Sequence, residues 1–240
     1  EALMYNGVAL QSGTSHFFGQ KFSKAYDIKY LNRENKLDYP YQTSWGVSTR
    51  MMGALIMVHS DDYGLVLPPR IAPNKVVIIP ISNDLEVMSM ANDYLDKLKK
   101  EGIEAYIDDS EKSPGYKFAE AEVLGIPVRI EIGKRDLENN VITLVRRDTR
   151  EKREVFTNTD IVHDVKILLE DIQRDMYDRA LRRREEMTYT CTDIEDFKDI
   201  INNHPGFVKA MWCGDTACEE KIKEIRGCKS RCIPFEEEHL

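Results

Sequence analysis

Apolar positions along this chain repeat with two different periods, and each switch of period marks an element. Residues 76–81, Val-Val-Ile-Ile-Pro-Ile, are a continuous apolar run of strand length, which predicts a strand buried on both faces. Val87, Met88, Ala91, Tyr94, Leu95 and Leu98 then recur at helical spacing. Residues 103–107 read as a second strand, residues 116–124 as a helix opened by Pro114-Gly115, and residues 127–132 as a third strand. Residues 141–145 and 153–156 predict a hairpin, and Ile161, Val165, Leu168, Ile172 and Met176 a long helix. A β-α-β-α-β order predicts helices packed on a mixed, largely parallel sheet, an α/β fold within an α+β whole.

The flanks are patterned differently. Phe17, Phe18, Phe22 and Tyr26 fall at helical spacing and are expected to face a core. Residues 28–31 and 39–45 read as two strands of an antiparallel hairpin around a polar turn at 32–36. The hairpin feeds the stretch QTSWGVSTRMMGALIMVHSDDYGLVLPP, residues 42–69, which predicts a strand end, a tight turn and a buried helix. Ser48 or Thr49 would cap that helix. Arg50 then lies in its first turn, where the macrodipole disfavours a cation. An anion gripped by both the turn's amides and the guanidinium resolves that conflict, and a plain surface arginine beside a core helix is the competing reading. Pro68, Pro69 and Pro73 predict a linker. Residues 178–186, DRALRRREE, read as an exposed helix end, Ile194, Phe197, Ile200 and Ile201 as a short amphipathic helix, and residues 207–212 as a strand.

Charge narrows the classes of function. Lys and Arg number 34 against 42 Asp and Glu, a net charge of −8, which argues against a protein that coats DNA or other nucleic acid without specificity. A local basic patch remains compatible with it. No apolar run approaches the roughly 20 residues that span a bilayer, so no membrane partner is expected. The start at Glu1, without cap, leader or initiating methionine, is expected to be that of a partial, cytoplasmic chain. Four of the 5 cysteines fall between 213 and 232, clustering that suggests a metal site more than a disulfide framework.

Several segments carry a resemblance. Residues 10–16, LQSGTSH, the 42–69 stretch, PGYKF at 114–118 with GIPVRIEIG at 125–133, and Cys213-Gly214-Asp215, Cys218-Glu219 and Cys232-Ile233-Pro234-Phe235 resemble, in order, segments of class II prolyl-tRNA synthetases of archaeal and eukaryotic type. The resemblance implies three regions: the end of an antiparallel catalytic domain with motif 3 at 1–70, an anticodon-binding domain at 74–177, and a small C-terminal domain at 185–240. It implies ATP contacts from Gln11, Thr14, Ser48 and Arg50, with Arg50 on the phosphates, and a proline pocket from His16, Ser44, Trp45 and Gly46. A flat indole beside glycine suits a compact pyrrolidine.

The chemistry implied by the resemblance has two steps: proline attacks the α-phosphate of ATP, and the adenylate then acylates tRNA(Pro), with Mg²⁺ and arginines stabilising phosphate charge. Lys117, Asp108, Glu120, Arg129 and Arg147 are the candidates to read anticodon guanines, with Lys117 foremost. Cys213 and Cys218 resemble half of a zinc knuckle whose second pair would lie past Leu240; Cys228 and Cys232 are possible substitutes for it. Motifs 1 and 2 and a Thr-x-Glu proline-binding segment would precede Glu1, so this part alone is not expected to activate proline. A homodimer through the catalytic domain is implied as well. Threonyl- or glycyl-type synthetases, and a non-catalytic tRNA-binding paralogue, are the alternatives; GTSH, TSWG and the intact Gln11, Thr14, His16 and Arg50 argue against them.

Overall fold

The computed structural model describes residues 1–232. The chain divides into two compact units, Leu55–Glu185 and Glu1–Ala54 together with the segment that begins at Glu186. In the second of these, β1 (Ala2–Leu3) pairs with β2 (Ala9–Leu10), and β3 (Gly13–Gly19) leads into α1 (Lys21–Ala25). β4 (Tyr30–Leu31) pairs with β5 (Leu37–Asp38), and β6 (Gln42–Val47) leads into α2 (Arg50–His59).

Two expectations are corrected here. Residues 13–19 form a strand, and Phe17, Phe22 and Tyr26 are exposed rather than core-facing. Phe17 and Phe18 sit on opposite faces of a pleat, and residues such as Thr, Phe and His tolerate that pleat well. The expected hairpin is also rearranged: β6 pairs antiparallel with β3, while β4 takes the short β5. Asn32 explains the tight β4–β5 turn, since its Oδ1 accepts from the amides of Glu34 and Lys36. The helix α2 buries only Ala54, leaving Met51, Met52, Ile56 and Met57 exposed.

The Leu55–Glu185 unit follows the sequence pattern closely. It contains β7 (Val76–Pro80), α3 (Leu85–Lys100), β8 (Ala105–Ile107), α4 (Pro114–Leu124), β9 (Val128–Ile132), α5 (Lys134–Glu138), β10 (Val141–Arg146), β11 (Lys152–Phe156) and α6, which runs from Ile161 to Glu186. The sheet order is β11-β10-β9-β7-β8, with β8, β7 and β9 parallel and β10 and β11 antiparallel. One sheet face carries Val76, Ile78, Val128, Ile130, Ile132, Ile142 and Leu144 against the buried stripes of α3 and α6. The other carries Val77 and Ile79 against Ala121 of α4 and Ile126. Gly125 ends α4 with φ 70°, a left-handed conformation glycine adopts without penalty. A Cβ there would also stand 2.6 Å from that of Leu65.

The expected linker is not loose. Pro68 and Pro69 are buried, Val66 joins the main core, and the Arg70 amide donates to Gln173 of α6 at 3.1 Å. Arg147 fastens the segment further upstream. It is only 4% exposed, its two terminal nitrogens donate to both carboxylate oxygens of Asp61 at 2.6 and 2.8 Å, and its Nε donates to the Glu122 carbonyl at 2.9 Å.

After α6, β12 (Thr188–Thr190) runs parallel to β13 (Phe207–Lys209), with α7 (Ile194–Asn203) between them and α8 (Thr216–Glu224) after them. Asp193 caps α7 by accepting from the amides of Glu195 and Asp196. Cys191, Phe197 and Ile200 centre a small core that Val208, Ile222 and Ile225 complete.

The Arg147 fork should therefore matter to stability. Arg147→Ala is expected to destabilise the Leu55–Glu185 unit by about 1–3 kcal/mol in urea unfolding, because it removes the charge-assisted hydrogen bonds and the packing of a buried guanidinium. A double-mutant cycle with Asp61→Ala should give a coupling above about 1 kcal/mol. The hydrogen bond from Arg147 holds the Asp61 carboxyl below its ordinary range. Its contribution is thus present above the unfolded carboxylate value and is lost as pH falls through the depressed folded one. The gap between wild type and variant should shrink below about pH 4; a gap that stayed constant down to acid unfolding would refute the assignment.

Candidate functional site

The β3–β6 pair gathers most of the first group of candidate residues. Across it, Thr14 stands opposite Gly46, Ser15 opposite Trp45, and His16 opposite Ser44. Side chains alternate along a strand and opposed residues share a face, so Thr14, His16, Ser44 and Gly46 line one face. Trp45 lies on the other face and is 81% exposed, so the expected pocket of His16, Ser44, Trp45 and Gly46 loses its indole. A Cβ placed on Gly46 would meet nothing within 4 Å, which leaves open space on the Thr14 and His16 face. The His16 ring stacks on Phe18 at 5.5 Å between centroids.

Arg50 joins this region from the start of α2. Its Nη1 donates to Gln11 Oε1 at 3.1 Å, bringing together two residues far apart in sequence. Ser48 caps as expected, its Oγ accepting from the Arg50 amide at 3.3 Å. The amides of Met51 and Met52 donate to the carbonyls of Ser48 and Thr49. The first three amides of α2 are therefore engaged locally, and the exposed guanidinium, rather than a nest of amides, is the group available to an anion.

The second group of candidates lies around α4, and the structure redistributes it. Lys117 is 5% exposed and its ammonium donates to the Asp108 carbonyl at 2.9 Å, so it locks the strand-to-helix loop from inside. Arg147 is committed to Asp61 and Glu122, which leaves it no free face for a base. Arg129 is buried as well, donating to Glu131 at 2.9 Å and to Glu122 at 3.3 Å, with its guanidinium 4.5 Å from the Phe118 ring centroid. Asp108 and Glu120 stay partly exposed; Asp108 accepts from Ser110, and Glu120 pairs with Lys112 at 2.7 Å.

Sequence reasoning missed three members of this cluster: Phe118, Glu131 and Lys152. Lys152 Nζ donates to Glu131 at 3.0 Å and stands 5.5 Å from the Phe118 centroid. The available signal was Arg129 and Glu131 alternating with Val128, Ile130 and Ile132, which puts two charges on one sheet face. The result is an aromatic ring flanked by two cations at the border of α4, with Lys152 half exposed.

The cysteines do not assemble as a zinc site. Cys213 and Cys218 are exposed, and their mutual influence holds Cys213 below the usual thiol range and pushes Cys218 up. Cys228 packs against the small core, donates to the Ile222 carbonyl at 2.9 Å, and is pushed up by burial. Cys232 is exposed, and Ile233, Pro234 and Phe235 lie outside the described residues. Among the described residues no group of three or more His, Cys, Asp or Glu is placed to hold a metal ion. That corrects the four-cysteine set.

Comparison with known proteins places these features. A family model described as an anticodon binding domain matches residues 75–162, and one described as the prolyl-tRNA synthetase C-terminal region matches residues 194–240. A proline--tRNA ligase of Lachnoclostridium phytofermentans is 54% identical over the full length of this chain and 50% of its own; that of Clostridium novyi is 52% identical with the same coverage. A crystal structure of prolyl-tRNA synthetase from Cryptosporidium parvum, described as complexed with L-proline and AMP, superposes with a TM-score of 0.88 at 37% identity. It covers 96% of this chain and 51% of that one. The chain thus spans about half the length of the relatives it matches.

The cysteine geometry predicts that purified protein carries far less than one zinc per chain by elemental analysis. A chelator should leave its far-ultraviolet circular dichroism unchanged, since a structural zinc would take folding energy with it on removal. Stoichiometric metal would place Cys228 and Cys232 back among the ligands.

Proposed function

Because the chain belongs to the prolyl-tRNA synthetase family, we propose that it supplies the ATP- and proline-facing edge and the RNA-reading domain of an enzyme that joins L-proline to tRNA(Pro). In this reading residues 1–70 close the catalytic domain, 74–177 bind the anticodon, and 185–240 form the C-terminal domain. The whole enzyme would work in the cytoplasm as a homodimer through its catalytic domain. The observation that carries the reading is the meeting of two distant segments across β3 and β6, with Arg50 tied to Gln11 beside them.

The open flank of Gly46, bordered by Thr14, His16 and Ser44, suits a small amino acid whose ring cannot tolerate a neighbouring side chain. Gln11 and Thr14 contact ATP, and Ser48 holds the turn that presents Arg50. The proline carboxylate attacks the α-phosphate, the bond to the bridging oxygen breaks, and pyrophosphate leaves. Charge grows on phosphate oxygens, and the fork of Arg50, already oriented by Gln11, meets it without reorganising. Mg²⁺ adds positive charge to the nucleotide when bound and would arrive with its phosphates. Acylation of the terminal ribose of tRNA follows. The Cryptosporidium relative is described as complexed with L-proline and AMP, an amino acid together with an adenine nucleotide.

For RNA, the reading face is the border of α4 and β11. Phe118 serves as a stacking platform, Lys152 as the cation that meets a guanine edge, and Asp108 and Glu120 as its polar rim. Lys117, Arg129 and Arg147 act beneath it as framework.

In the full-length enzyme, Arg50→Ala should lower proline-dependent pyrophosphate exchange by about 2–4 kcal/mol of transition-state stabilisation, while Trp45→Phe retains most of it. Gly46→Val should raise the proline KM by filling the open flank. Equal losses at Trp45 and Arg50 would show that the strand pair is merely structural.

The RNA assignment is tested on this chain alone, by paired titration at fixed salt against tRNA with the proline anticodon and tRNA whose two guanines are replaced. Lys152→Ala should shrink the preference by about 1–3 kcal/mol, the worth of one good base contact. If the variant weakens both tRNAs alike, Lys152 meets phosphate and another group reads the bases.

A further inference from the structure

We propose that the segment after α6 positions the nucleotide-facing residues: it seats the β1–β2 hairpin at Gly7, and the hairpin in turn fixes Gln11 and, through it, the guanidinium of Arg50. The inference rests on the synthetase reading of Arg50 and adds to it three positioning residues, Gly7, Met187 and Pro205.

The hairpin is short and closely held. Ala2 pairs with Leu10 and Leu3 with Ala9. Its turn is closed by the Met4 amide on the Val8 carbonyl at 3.1 Å and the Gly7 amide on the Met4 carbonyl at 3.0 Å. Asn6 Oδ1 also accepts from the Val8 amide at 3.0 Å. Gly7 has φ 74°, in the left-handed region that glycine adopts without penalty. Space demands glycine there as well: a Cβ would stand 2.5 Å from Pro205 Cβ and 2.7 Å from Met187 Cε. Leu3 and Met4 are buried, and Glu1 Oε2 accepts from Arg231 at 3.3 Å, so the start of the hairpin is tied as well as its turn. The seat is itself anchored. Met187 and Gly206 immediately precede β12 and β13, and the Phe207 amide donates to the Met187 carbonyl at 2.8 Å. Tyr189 and Val208 of these strands pack on the small core of Cys191, Phe197 and Ile200.

At its other end the hairpin leads straight to the nucleotide-facing residues. Gln11 follows Leu10 directly, and its Oε1 accepts from Arg50 Nη1 at 3.1 Å. The Ser12 hydroxyl donates back to the Leu10 carbonyl at 3.4 Å, and Gly13 then opens β3 with Thr14 behind it. Arg50 is exposed, and an arginine at the surface spreads over many rotamers unless an acceptor selects one. Gln11 is that acceptor, so a shift of the hairpin moves the point to which the guanidinium is tied. A displacement of about 1 Å is enough to impair a group that must meet a phosphate in one geometry. If close packing at Gly7 served stability alone, its loss would reduce the amount of folded enzyme and leave each remaining active site as it was.

The test uses the full-length enzyme in proline-dependent pyrophosphate exchange, with active sites counted by the adenylate formed at completion. Per active site, Gly7→Ala should lower kcat/KM for ATP by about tenfold, while the proline KM changes by less than about twofold. Pro205→Gly opens the seat without straining the hairpin and should act in the same direction, so it decides the matter if Gly7→Ala folds poorly. Gly102→Ala is the control for backbone strain: Gly102 has φ 73° and nothing within 4 Å of an added Cβ, and its substitution should leave the ATP parameters unchanged. In a Gln11→Ala background, Gly7→Ala should cause no further loss, because the connection is already cut. Unchanged kcat/KM for ATP in Pro205→Gly, or losses from Gly7→Ala and Gln11→Ala that multiply, would overturn the proposal while Arg50→Ala, still depressing exchange, leaves the synthetase reading intact. Full exchange in Arg50→Ala would overturn both.

Discussion

The Leu55–Glu185 unit closes on a single guanidinium. Arg147 stands at the end of β10, and it holds in one hand the carboxylate that follows α2 and in the other the carbonyl of Glu122 in α4. Leu65 packs onto Gly125 because that fork brings the two stretches together, and Val66, Pro68 and Pro69 then enter the interior behind it. A buried charge is stable only when fully partnered, so the fork also dictates where its partners must be. The same rule governs Arg129, which is satisfied by Glu131 and Glu122 and covered by Phe118.

The elements of this unit were legible because their periodicities do not overlap. The run 76–79 cannot be a surface helix, and Val87, Ala91, Tyr94 and Leu98 cannot be a strand; all of them are buried as their patterns require. The strand β3 was harder, because adjacent phenylalanines followed by another four residues on satisfy a helical template as well as a pleated one. Its partner was equally hidden: nothing local in residues 39–47 says that they pair with 13–19 rather than with 28–31.

The candidate site was legible in composition and illegible in direction. Gln11, Thr14, His16, Ser44 and Arg50 do come together, yet Trp45, lying between two of the pocket's residues in sequence, turns away because neighbours in a strand face opposite ways. Lysine and arginine in the second region were expected at the surface because burying them costs several kcal/mol. The compensating groups, the backbone carbonyl of Asp108 and the carboxylates of Asp61 and Glu131, are visible only once the chain is folded.

Burial of these ion pairs has a consequence for how the molecule responds to ionic strength. Mobile ions screen charges that share their solvent, over about 8 Å in physiological salt, and have little hold on pairs enclosed by protein. The bonds of Arg129 to Glu131 and Glu122 should then be nearly indifferent to added salt, whereas the half-exposed ammonium of Lys152 and the exposed guanidinium of Arg50 feel it in full, and the Arg147 pair, whose Asp61 carboxylate is exposed, falls between. Salt therefore separates the two populations of charge in this chain: the one that holds the fold keeps its strength while the one left to meet a polyanion loses it.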